Sequence, residues 1–305
     1  MSAKTGSRPL EENSTAMPSV SFIIPTMNSE STIRSCLESI FQQHYPSFEV
    51  IIVDGGSVDD TLKIVRDFSV QLIEVKGTLG LARQIGVERA SGEICAFIDS
   101  DCVLESDTWL VSIVRYMMAK RRENKGIVGA WTLGTYRRAL PAALRYAILT
   151  GPREPPSIVT PHDYFPVGTG HTLLFTNDIK RVGGFNKNMH FGEDRDLLDR
   201  LLLEGYAVAY FEKTVCHLYV HNFGDLIAKY LASSKYLART TAKKESKRPF
   251  MDRSSPLRFL QRGLFTMKFI GKDRDPVWIL HPILLLIQLI AMGIYSIGYS
   301  IGILN

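Results

Sequence analysis

The chain has 305 residues, of which 45% are apolar and 22% are charged, and its formal net charge is +5. These fractions are those of a globular protein rather than a disordered or fibrous one, and the length suffices for one large domain or two small ones. The four cysteines show no CxxC spacing, so the sequence predicts neither a disulfide framework nor a zinc knuckle and favours a reducing compartment.

Residues 1–17 lack the apolar run of a secretory signal, and they predict a polar, disordered tail. Beyond the tail, apolar runs of strand length alternate with segments of helical spacing. The predicted strands are Val20–Thr26, Phe48–Asp54, Val70–Val75, Ile94–Ile98, His171–Thr176, Ala207–Phe211 and Val215–Val220. The predicted helices are Ser31–His44, Asp60–Phe68, Leu79–Ala90, Trp109–Lys120 and Glu193–Glu204. This alternation predicts an α/β fold, with a mostly parallel sheet and helices on both faces.

The C-terminal part of the sequence predicts a membrane anchor. Residues 276–305 contain no Asp, Glu, Lys or Arg, and about 20 apolar residues suffice to cross a bilayer, so a single transmembrane helix is expected there, with a buried core helix as the alternative. Residues 223–275 are predicted to form a basic helical segment, in which thirteen basic and three acidic side chains lie between Lys229 and Arg274. A basic segment directly before a span marks the cytoplasmic side and attracts anionic lipid headgroups. A solvated linker and nucleic-acid binding are the alternatives, and the adjacent span favours the membrane.

Polar residues follow three of the predicted strands, as Pro25-Thr26-Met27-Asn28, Asp54-Gly55-Gly56-Ser57 and Asp99-Ser100-Asp101. In a parallel sheet, ligands bind outside the carboxyl ends of the strands, so these three ends predict one site. Asp99 and Asp101 flank a single residue, and hard carboxylate oxygens suit Mg²⁺ or Mn²⁺ held together with substrate phosphates. The structural alternative is a helix cap, for which Asp107 is better placed. Residues 151–170, rich in proline and glycine, predict a loop over this site.

Other candidate residues each have a structural alternative. Asp54 could accept a hydrogen bond from a base or a ribose hydroxyl, although Asp-Gly is also a common turn. Arg83 could pair with a diphosphate, or it could be an exposed helical arginine. Glu193 and Asp194 begin a helix, where the helix dipole favours acids in any case, and a carboxylate there could also act as a general base. His217 lies in a predicted strand and is either a core residue or a metal ligand.

Four stretches together resemble the family-2 glycosyltransferases, which have the Rossmann-like nucleotide-diphospho-sugar transferase (GT-A) fold. They are VSFIIPTMN, IIVDGGSVDDT, LGLARQIGVERASGEICAFIDSDC and VGGFNKNMHFGEDRDLLDRLLLEGY, and they occur in this order within residues 18–222, the predicted catalytic domain. The chain departs from the family pattern at Met27, Ser29 and Gln84, where an aromatic residue, an acid and an asparagine are frequent.

The resemblance implies a role for each matching position. The base pocket would be lined by Pro25, Thr26 and Asn28, and Asp54 would contact the base. Arg83, Asp99 and Ser100 would contact the rest of the donor, and the metal would be bound by Asp99, Asp101 and His217. Catalysis would fall to Asp194, with Glu193 beside it. Asp194 would be the general base. These roles concern a nucleotide-diphospho-sugar donor, with a UDP- or GDP-sugar expected, and Mg²⁺ or Mn²⁺ as the cofactor.

The sequence therefore predicts a membrane-anchored glycosyltransferase that transfers a sugar to a hydroxyl acceptor, on a lipid-linked glycan or another cell-surface glycan precursor. Inversion at the anomeric carbon is implied by the resemblance. Transfer to a polyprenyl phosphate is an alternative, but an ionised phosphate has little need of a general base. Two alternatives belong to other classes: a haloacid-dehalogenase-like phosphatase, which also carries a DxD motif after a strand, and a membrane-tethered binding protein with an inactive transferase fold.

Overall fold

A computed structural model describes residues 17–132, 134–136, 156–160, 169–190, 192–213, 215–218, 227, 231, 234–235 and 280–300. The strands of this part are β1 (Val20–Thr26), β2 (Phe48–Asp54), β3 (Gln71–Glu74), β4 (Ile94–Ile98), β5 (Cys102–Leu104), β6 (Ile127–Trp131), β7 (Gly134–Tyr136), β8 (Ile158–Val159), β9 (His171–Phe175), β10 (Ala207–Tyr210) and β11 (Val215–His217). The helices are α1 (Ile33–Phe41), α2 (Thr61–Val65), α3 (Leu79–Arg89), α4 (Trp109–Glu123), α5 (Thr176–Arg181), α6 (Glu193–Leu203) and α7 (Leu280–Ser300).

Eight strands form one sheet in the order β3-β2-β1-β4-β9-β6-β10-β8. Strands β3, β2, β1 and β4 pair in parallel, as do β6 and β10, whereas β9 is antiparallel to both of its neighbours and β8 is antiparallel to β10. Six of the eight strands thus run in one direction, which confirms the predicted mostly parallel sheet. Because β2, β1 and β4 are parallel neighbours, the three polar segments lie side by side at the carboxyl ends of these strands, as predicted.

Helices cover both faces of this sheet because its central strands are apolar on both sides. Alternate residues of β1 belong to different clusters: Phe22 and Ile24 pack with side chains of α1 and α4, whereas Ile23 packs with leucines of α6. Every residue of β4 is buried. The continuous apolar runs of the sequence are therefore strands buried from two sides, and the helices on both faces are confirmed.

A second, three-stranded sheet was not predicted. In it, β11 is antiparallel to β5 and parallel to β7. His217 of β11 lies opposite Cys102 of β5, and the Leu218 amide donates a 2.7 Å hydrogen bond to the Asp101 carbonyl. This small sheet fastens the predicted strand Val215–Val220, of which residues 215–218 are described, beside the Asp99-Ser100-Asp101 turn.

Several predicted boundaries differ from the observed ones by up to three residues: α1 covers Ile33–Phe41 rather than Ser31–His44, and α2 covers Thr61–Val65 rather than Asp60–Phe68. The strand that was expected to end at Thr176 ends one residue earlier, because Thr176 begins α5. The described part of the predicted loop 151–170 contains strand β8, which pairs with β10. Strand β6 was not predicted, because it is short and contains a glycine. That residue, Gly129, allows close packing, since an added Cβ would lie 2.2 Å from the Leu173 carbonyl oxygen of β9.

The predicted terminal segments are only partly described. Residues 1–16 of the expected tail and most of the basic segment 223–275 lie outside the described residues. Helix α7 falls within the expected transmembrane segment 276–305. Among the residues that the structure describes, we find no helix whose length and hydropathy suit a membrane crossing, so the predicted span is not confirmed.

Candidate active site

Arg83 joins the two acidic motifs of the site. Its guanidinium donates a 2.9 Å hydrogen bond to Asp99 Oδ1, directly after β4, and a second bond to Glu193 Oε1 at the start of α6. Arg83 is only 4% exposed. The sequence predicted a contact between Arg83 and the donor, whereas the structure places the guanidinium between two carboxylates. Its helix α3 is held in position by Thr78, which caps the first turn by accepting a 2.9 Å bond from the Leu81 amide.

The charges of this bridge are strongly perturbed. Burial raises the pKa of Glu193 to about 7; the Arg83 guanidinium opposes this shift, and the Asp194 carboxylate adds to it. For Arg83, burial disfavours the charged form, but the Asp99 and Glu193 carboxylates outweigh burial and raise its pKa above the usual range. Arg83 therefore keeps its charge and holds the two motifs together by charge-assisted hydrogen bonds.

We expect Glu193→Gln to change how stability depends on pH. The unfolded side chain has an ordinary pKa of 4.5 and the folded one about 7, so between these values folding takes up a proton at Glu193. This group therefore makes the wild type less stable as the pH rises through that window. Glutamine does not titrate, so the stability of the variant relative to wild type should rise with pH across the same window.

Urea denaturation at several pH values in the window measures this difference. Arg83, Asp99 and Asp194 surround position 193 equally in both proteins. The control is Glu204→Gln, which alters an exposed carboxylate just after the same helix and should keep the wild-type profile. A Glu193→Gln profile parallel to that of the wild type would contradict the prediction.

Asp194 lies next to Glu193 but in a different environment. Gly192, in the left-handed region with φ of 77°, is the N-cap that precedes α6, and Asp194 lies in the first helical turn. Its Oδ1 accepts a 2.6 Å bond from the Arg195 amide and its Oδ2 a 3.4 Å bond from the Thr169 amide. Asp194 is partly exposed whereas Glu193 is 1% exposed. Of the two acids, Asp194 is therefore the more accessible one.

The segment before β9 closes one wall of the site. The Asp99 amide donates a 2.9 Å bond to the Gly170 carbonyl, and a Cβ added at Gly170 would lie 2.2 Å from Asp99 Oδ2. Thr169 is fully buried, and its Oγ1 has no hydrogen-bond partner among the described residues. Thr169 therefore contacts the Asp194 carboxylate, and the adjacent Gly170 contacts the Asp99 carboxylate. This segment is thus a second connection between the two acidic motifs, in addition to Arg83.

A candidate cation site lies beside Asp101. The Asp101, Cys102 and His217 side chains each offer one ligand atom, and these atoms lie within 4.8 Å of one another. The distance from His217 Nδ1 to Asp101 Oδ2 is 3.5 Å. Burial opposes ionisation of Asp101, but its contact with His217 outweighs burial and lowers its pKa. A carboxylate and an imidazole suit a divalent cation, so two of the three predicted metal ligands come together, whereas an oxygen of Asp99 is paired with Arg83.

Sequence reasoning missed His171, the first residue of β9. Its ring centre lies 5.6 Å from that of His217, and its Nδ1 is buried without a hydrogen-bond partner among the described residues. Burial and, to a smaller extent, the neighbouring His217 lower the pKa of His171 to about 4. The only signal in the sequence is a histidine at the start of an apolar strand, which does not reveal the strand beside it.

Asp54 is fully buried at the end of β2. Its Oδ2 accepts 2.8 Å bonds from the amides of Gly56 and Ser57, and its Oδ1 accepts a 2.5 Å bond from the Ser57 hydroxyl. Asp54 therefore shapes the turn after β2, which is the structural alternative that the Asp-Gly sequence suggested. The predicted contact between Asp54 and the nucleotide base stays a prediction.

The turns after β1, β2 and β4 are tied to one another. Asn28, with φ of 51°, donates from its amide to Ser57 Oγ at 2.8 Å and accepts from the Val58 amide at 2.9 Å. The hydroxyls of Ser29 and Ser100 lie 2.9 Å apart. Pro25 precedes Thr26, whose buried Oγ1 has no partner in the described part of the chain. The structure thus assembles the predicted donor-binding residues at one edge, as the strand ends indicated.

Gln84, one of the departures from the family pattern, lies away from the strand ends. Its Oε1 accepts a 2.7 Å bond from the Phe185 amide, and the nearby Gly80 amide donates a 2.9 Å bond to the Met189 carbonyl. A Cβ added at Gly80 would lie 2.1 Å from the Asn186 carbonyl oxygen. Gln84 therefore helps to pack α3 against the segment that leads into α6.

Comparison with known proteins agrees with this geometry. The model of the glycosyl transferase family 2 matches residues 21–143. Glycosyltransferase AglE of Haloferax volcanii is 32% identical over 225 residues, covering 70% of this chain and 71% of the relative. A second relative is WfgD of Escherichia coli, a UDP-Glc:alpha-D-GlcNAc-diphosphoundecaprenol beta-1,3-glucosyltransferase. It is 32% identical over 111 residues, which are 34% of this chain and 42% of WfgD.

Solved structures show the same fold. The mannosyltransferase PcManGT of Pyrobaculum calidifontis, in complex with GDP-Man and Mn²⁺, has a TM-score of 0.63 at 18% identity and covers 93% of this chain and 88% of its own. TarS of S. aureus, in complex with UDP-GlcNAc, has a TM-score of 0.52 at 18% identity, over 93% and 92% of the two chains. The match to the family model, the extended identity to AglE and the shared GT-A fold lead to one conclusion. The chain belongs to glycosyltransferase family 2.

Proposed function

We propose that this glycosyltransferase transfers a sugar, with inversion, from a UDP- or GDP-sugar to a hydroxyl group of a lipid-linked glycan at a membrane surface. The observation that carries the proposal is the Arg83 bridge, which holds Asp99 of the donor motif and Glu193 of the Glu-Asp motif at one edge of the sheet. Family membership excludes the phosphatase alternative. Relatives in complex with UDP-GlcNAc and with GDP-Man support both nucleotides as candidates.

On the donor side, the turns after β1 and β2 would receive the base, and Asp99 and Ser100 the ribose. Thr26 supplies a buried hydroxyl without a partner in the described part of the chain, which suits it to a ligand. Asp101 and His217 would hold Mg²⁺ or Mn²⁺, because their oxygen and nitrogen atoms already lie 3.5 Å apart. When bound, such a cation neutralises the charge of the leaving nucleoside diphosphate.

On the acceptor side, Asp194 would take the proton of the attacking hydroxyl. The two amide bonds to its oxygens orient the carboxylate, and its partial exposure leaves it open to a substrate. Glu193 is buried against Arg83, so its role is to position the start of α6. A general base is useful for a hydroxyl acceptor and not for an ionised phosphate, which favours a lipid-linked sugar over a polyprenyl phosphate.

The C-terminal residues support binding to a membrane, with the catalytic domain on the cytoplasmic side. One face of α7 carries five large aliphatic side chains that are 46–63% exposed, namely Ile283, Leu286, Ile290, Ile294 and Ile297. Their spacing of three and four residues places them in one stripe. The segment between Lys229 and Arg274 has ten more basic than acidic residues, which complements anionic headgroups. WfgD, whose name gives a lipid-linked sugar acceptor, is consistent with this location.

A labelling experiment tests the donor and the acceptor together. The full chain is incubated with a membrane lipid extract, Mg²⁺ or Mn²⁺, and a panel of labelled UDP-, GDP- and dTDP-sugars, and the products are identified by mass. We expect one donor to extend a lipid-linked glycan by one sugar, and Asp101→Asn to abolish this product. Release of no nucleoside diphosphate from any donor would contradict the proposal, and a sugar attached directly to a polyprenyl phosphate would contradict the hydroxyl acceptor.

Flotation with vesicles tests the location separately. The chain should float with vesicles that contain anionic lipid, and less with neutral vesicles or at high salt, because salt screens the attraction between basic side chains and headgroups. A chain that stays unbound with both kinds of vesicle would contradict membrane binding without affecting the assignment of the transferase.

A further inference from the structure

A lysine to which the proposed donor site gives no role lies beside the turn after β2. Strand β3 pairs with β2 in parallel, with Glu74 opposite Asp54, and the Val75 amide continues this pairing with a 2.8 Å hydrogen bond to the Asp54 carbonyl. Lys76 therefore leaves the sheet at the carboxyl ends of the strands. It lies next to the Asp54-Gly55-Gly56-Ser57 turn, where the base of the nucleotide is proposed to bind.

The aliphatic stem of Lys76 lies along this turn. Gly56 has φ of 103°, and a Cβ added there would lie 3.2 Å from both Cγ and Cε of Lys76. The ammonium is one bond beyond Cε, so it stays close to the turn. On the neighbouring glycine, a Cβ added at Gly55 would lie 3.5 Å from Met27 Sδ. Met27 is 62% exposed and Lys76 is exposed too, so the two glycines are flanked by long side chains that a ligand can reach.

Other polar groups of these turns are already engaged. The Asp54 carboxylate accepts three hydrogen bonds within its own turn, and Asn28 Oδ1 accepts one from a backbone amide that follows this turn. Lys76 differs from them. The nearest acid on its strand, Glu74, pairs with Arg66 at 3.6 Å, and Lys76 forms no ion pair with any described residue. Because an ammonium donates three hydrogen bonds and accepts none, Lys76 can donate to acceptor atoms of a ligand.

We propose that Lys76 reads the base of the donor and favours guanine over uracil, so that the donor is a GDP-sugar. The inference rests on the proposed function, whose donor is a UDP- or GDP-sugar. Guanine carries two adjacent acceptors, O6 and N7, on one edge, and a lysine can donate to both. The corresponding edge of uracil carries one carbonyl beside a C–H group, and adenine has an amino donor beside N7. The polarizable thioether of Met27 suits the face of the same base.

Nucleotide binding tests this inference without sugar transfer. The full chain is titrated with GDP, UDP and ADP in the presence of Mg²⁺, and the affinities are measured by calorimetry. We expect GDP to bind about 10-fold more tightly than UDP, since a two-bond contact with guanine discriminates by at least roughly this factor. ADP should bind more weakly than GDP, because its amino group faces the ammonium with a donor instead of an acceptor.

Three variants identify the lysine. Lys76→Met keeps an unbranched stem over Gly56 but removes the ammonium, so it should bind GDP about 10-fold more weakly and lose the preference for GDP. Lys76→Arg should keep this preference, because a guanidinium also donates to both guanine acceptors. The matched control is Lys63→Met, which removes an exposed ammonium that lies 3.6 Å from Asp60 on helix α2 and should keep the wild-type affinities.

Three results would overturn the inference: UDP bound by the wild type as tightly as GDP, wild-type GDP affinity in Lys76→Met, or equal losses for all three nucleotides in that variant. Equal losses would show attraction of the diphosphate rather than recognition of the base. Because Lys76 is exposed, its variants should fold like the wild type. A chain that selects GDP but transfers no sugar would contradict the proposed function alone. A chain that transfers from a UDP-sugar and binds UDP more tightly than GDP would contradict this inference alone.

Discussion

Asp194→Asn is expected to reduce sugar transfer by about 10²–10⁴-fold, the usual contribution of a general base. Asparagine keeps the size of the side chain and can still accept the bond from the Thr169 amide, but it cannot take a proton from the acceptor hydroxyl. The loss should appear in kcat, because the carboxylate acts when the new bond forms. Donor affinity, measured by calorimetry with the nucleotide sugar and cation, should stay within a few-fold of the wild type.

The matched control is Asp196→Asn, which removes a carboxylate from the same first turn of α6. Asp196 pairs with Arg200 at 2.8 Å, so this variant should lose some stability but keep most of its activity. Equal losses of activity in the two variants would indicate an effect of charge on the helix rather than a base. Near wild-type transfer by Asp194→Asn, with normal donor binding, would show that the base assignment is wrong.

Arg83→Met is expected to lower the free energy of unfolding by about 3–5 kcal/mol, the cost of removing one partner from a buried ion pair. The substitution leaves Glu193, which is 1% exposed, without its cationic partner and frees Asp99 at the end of β4. Arg83→Lys should recover only part of this loss, since one ammonium cannot form the two-armed contact of a guanidinium. Urea denaturation measures the stability, and the transfer assay should show activity falling with it.

Arg89→Met provides the comparison for this prediction. Arg89 lies in the last turn of the same helix α3 and is exposed, so its replacement should change the free energy of unfolding by no more than about 0.5 kcal/mol. If Arg83→Met were as stable as Arg89→Met, the buried bridge would not support the site, and the link between the two acidic motifs would have to be sought elsewhere.

The strand ends that build the site were predictable from local sequence. β1, β2 and β4 have the bounds that their apolar runs indicated, because each run is continuous and each is followed by polar or glycine residues. Parallel pairing then placed Asp54 and Asp99 at one edge, as the alternation of strands and helices implied. The start of α6 at Glu193 was also predicted, since acids before a leucine repeat are typical of a helix start.

The rest of the site depends on contacts between distant residues, which local patterns do not show. Cys102 and His217 are 115 positions apart, and their proximity follows from the pairing of two three-residue strands that have no strong pattern of their own. Arg83 resembles an exposed helical arginine in the sequence, and only the packing of α3 against β1 and against the segment before α6 buries it. His171 was missed for the same reason.

The Arg83 bridge also has a consequence for how the chain is made. Arg83 and Glu193 are 110 positions apart, and ribosomes add about 5–20 residues per second, so the guanidinium emerges roughly 5–20 s before its second partner. Residues 21–143, the part that matches the family model, contain Arg83 and Asp99 but not Glu193. That part alone cannot bury Arg83 between both carboxylates. The buried bridge between the two acidic motifs is therefore completed only once the start of α6 has left the ribosome.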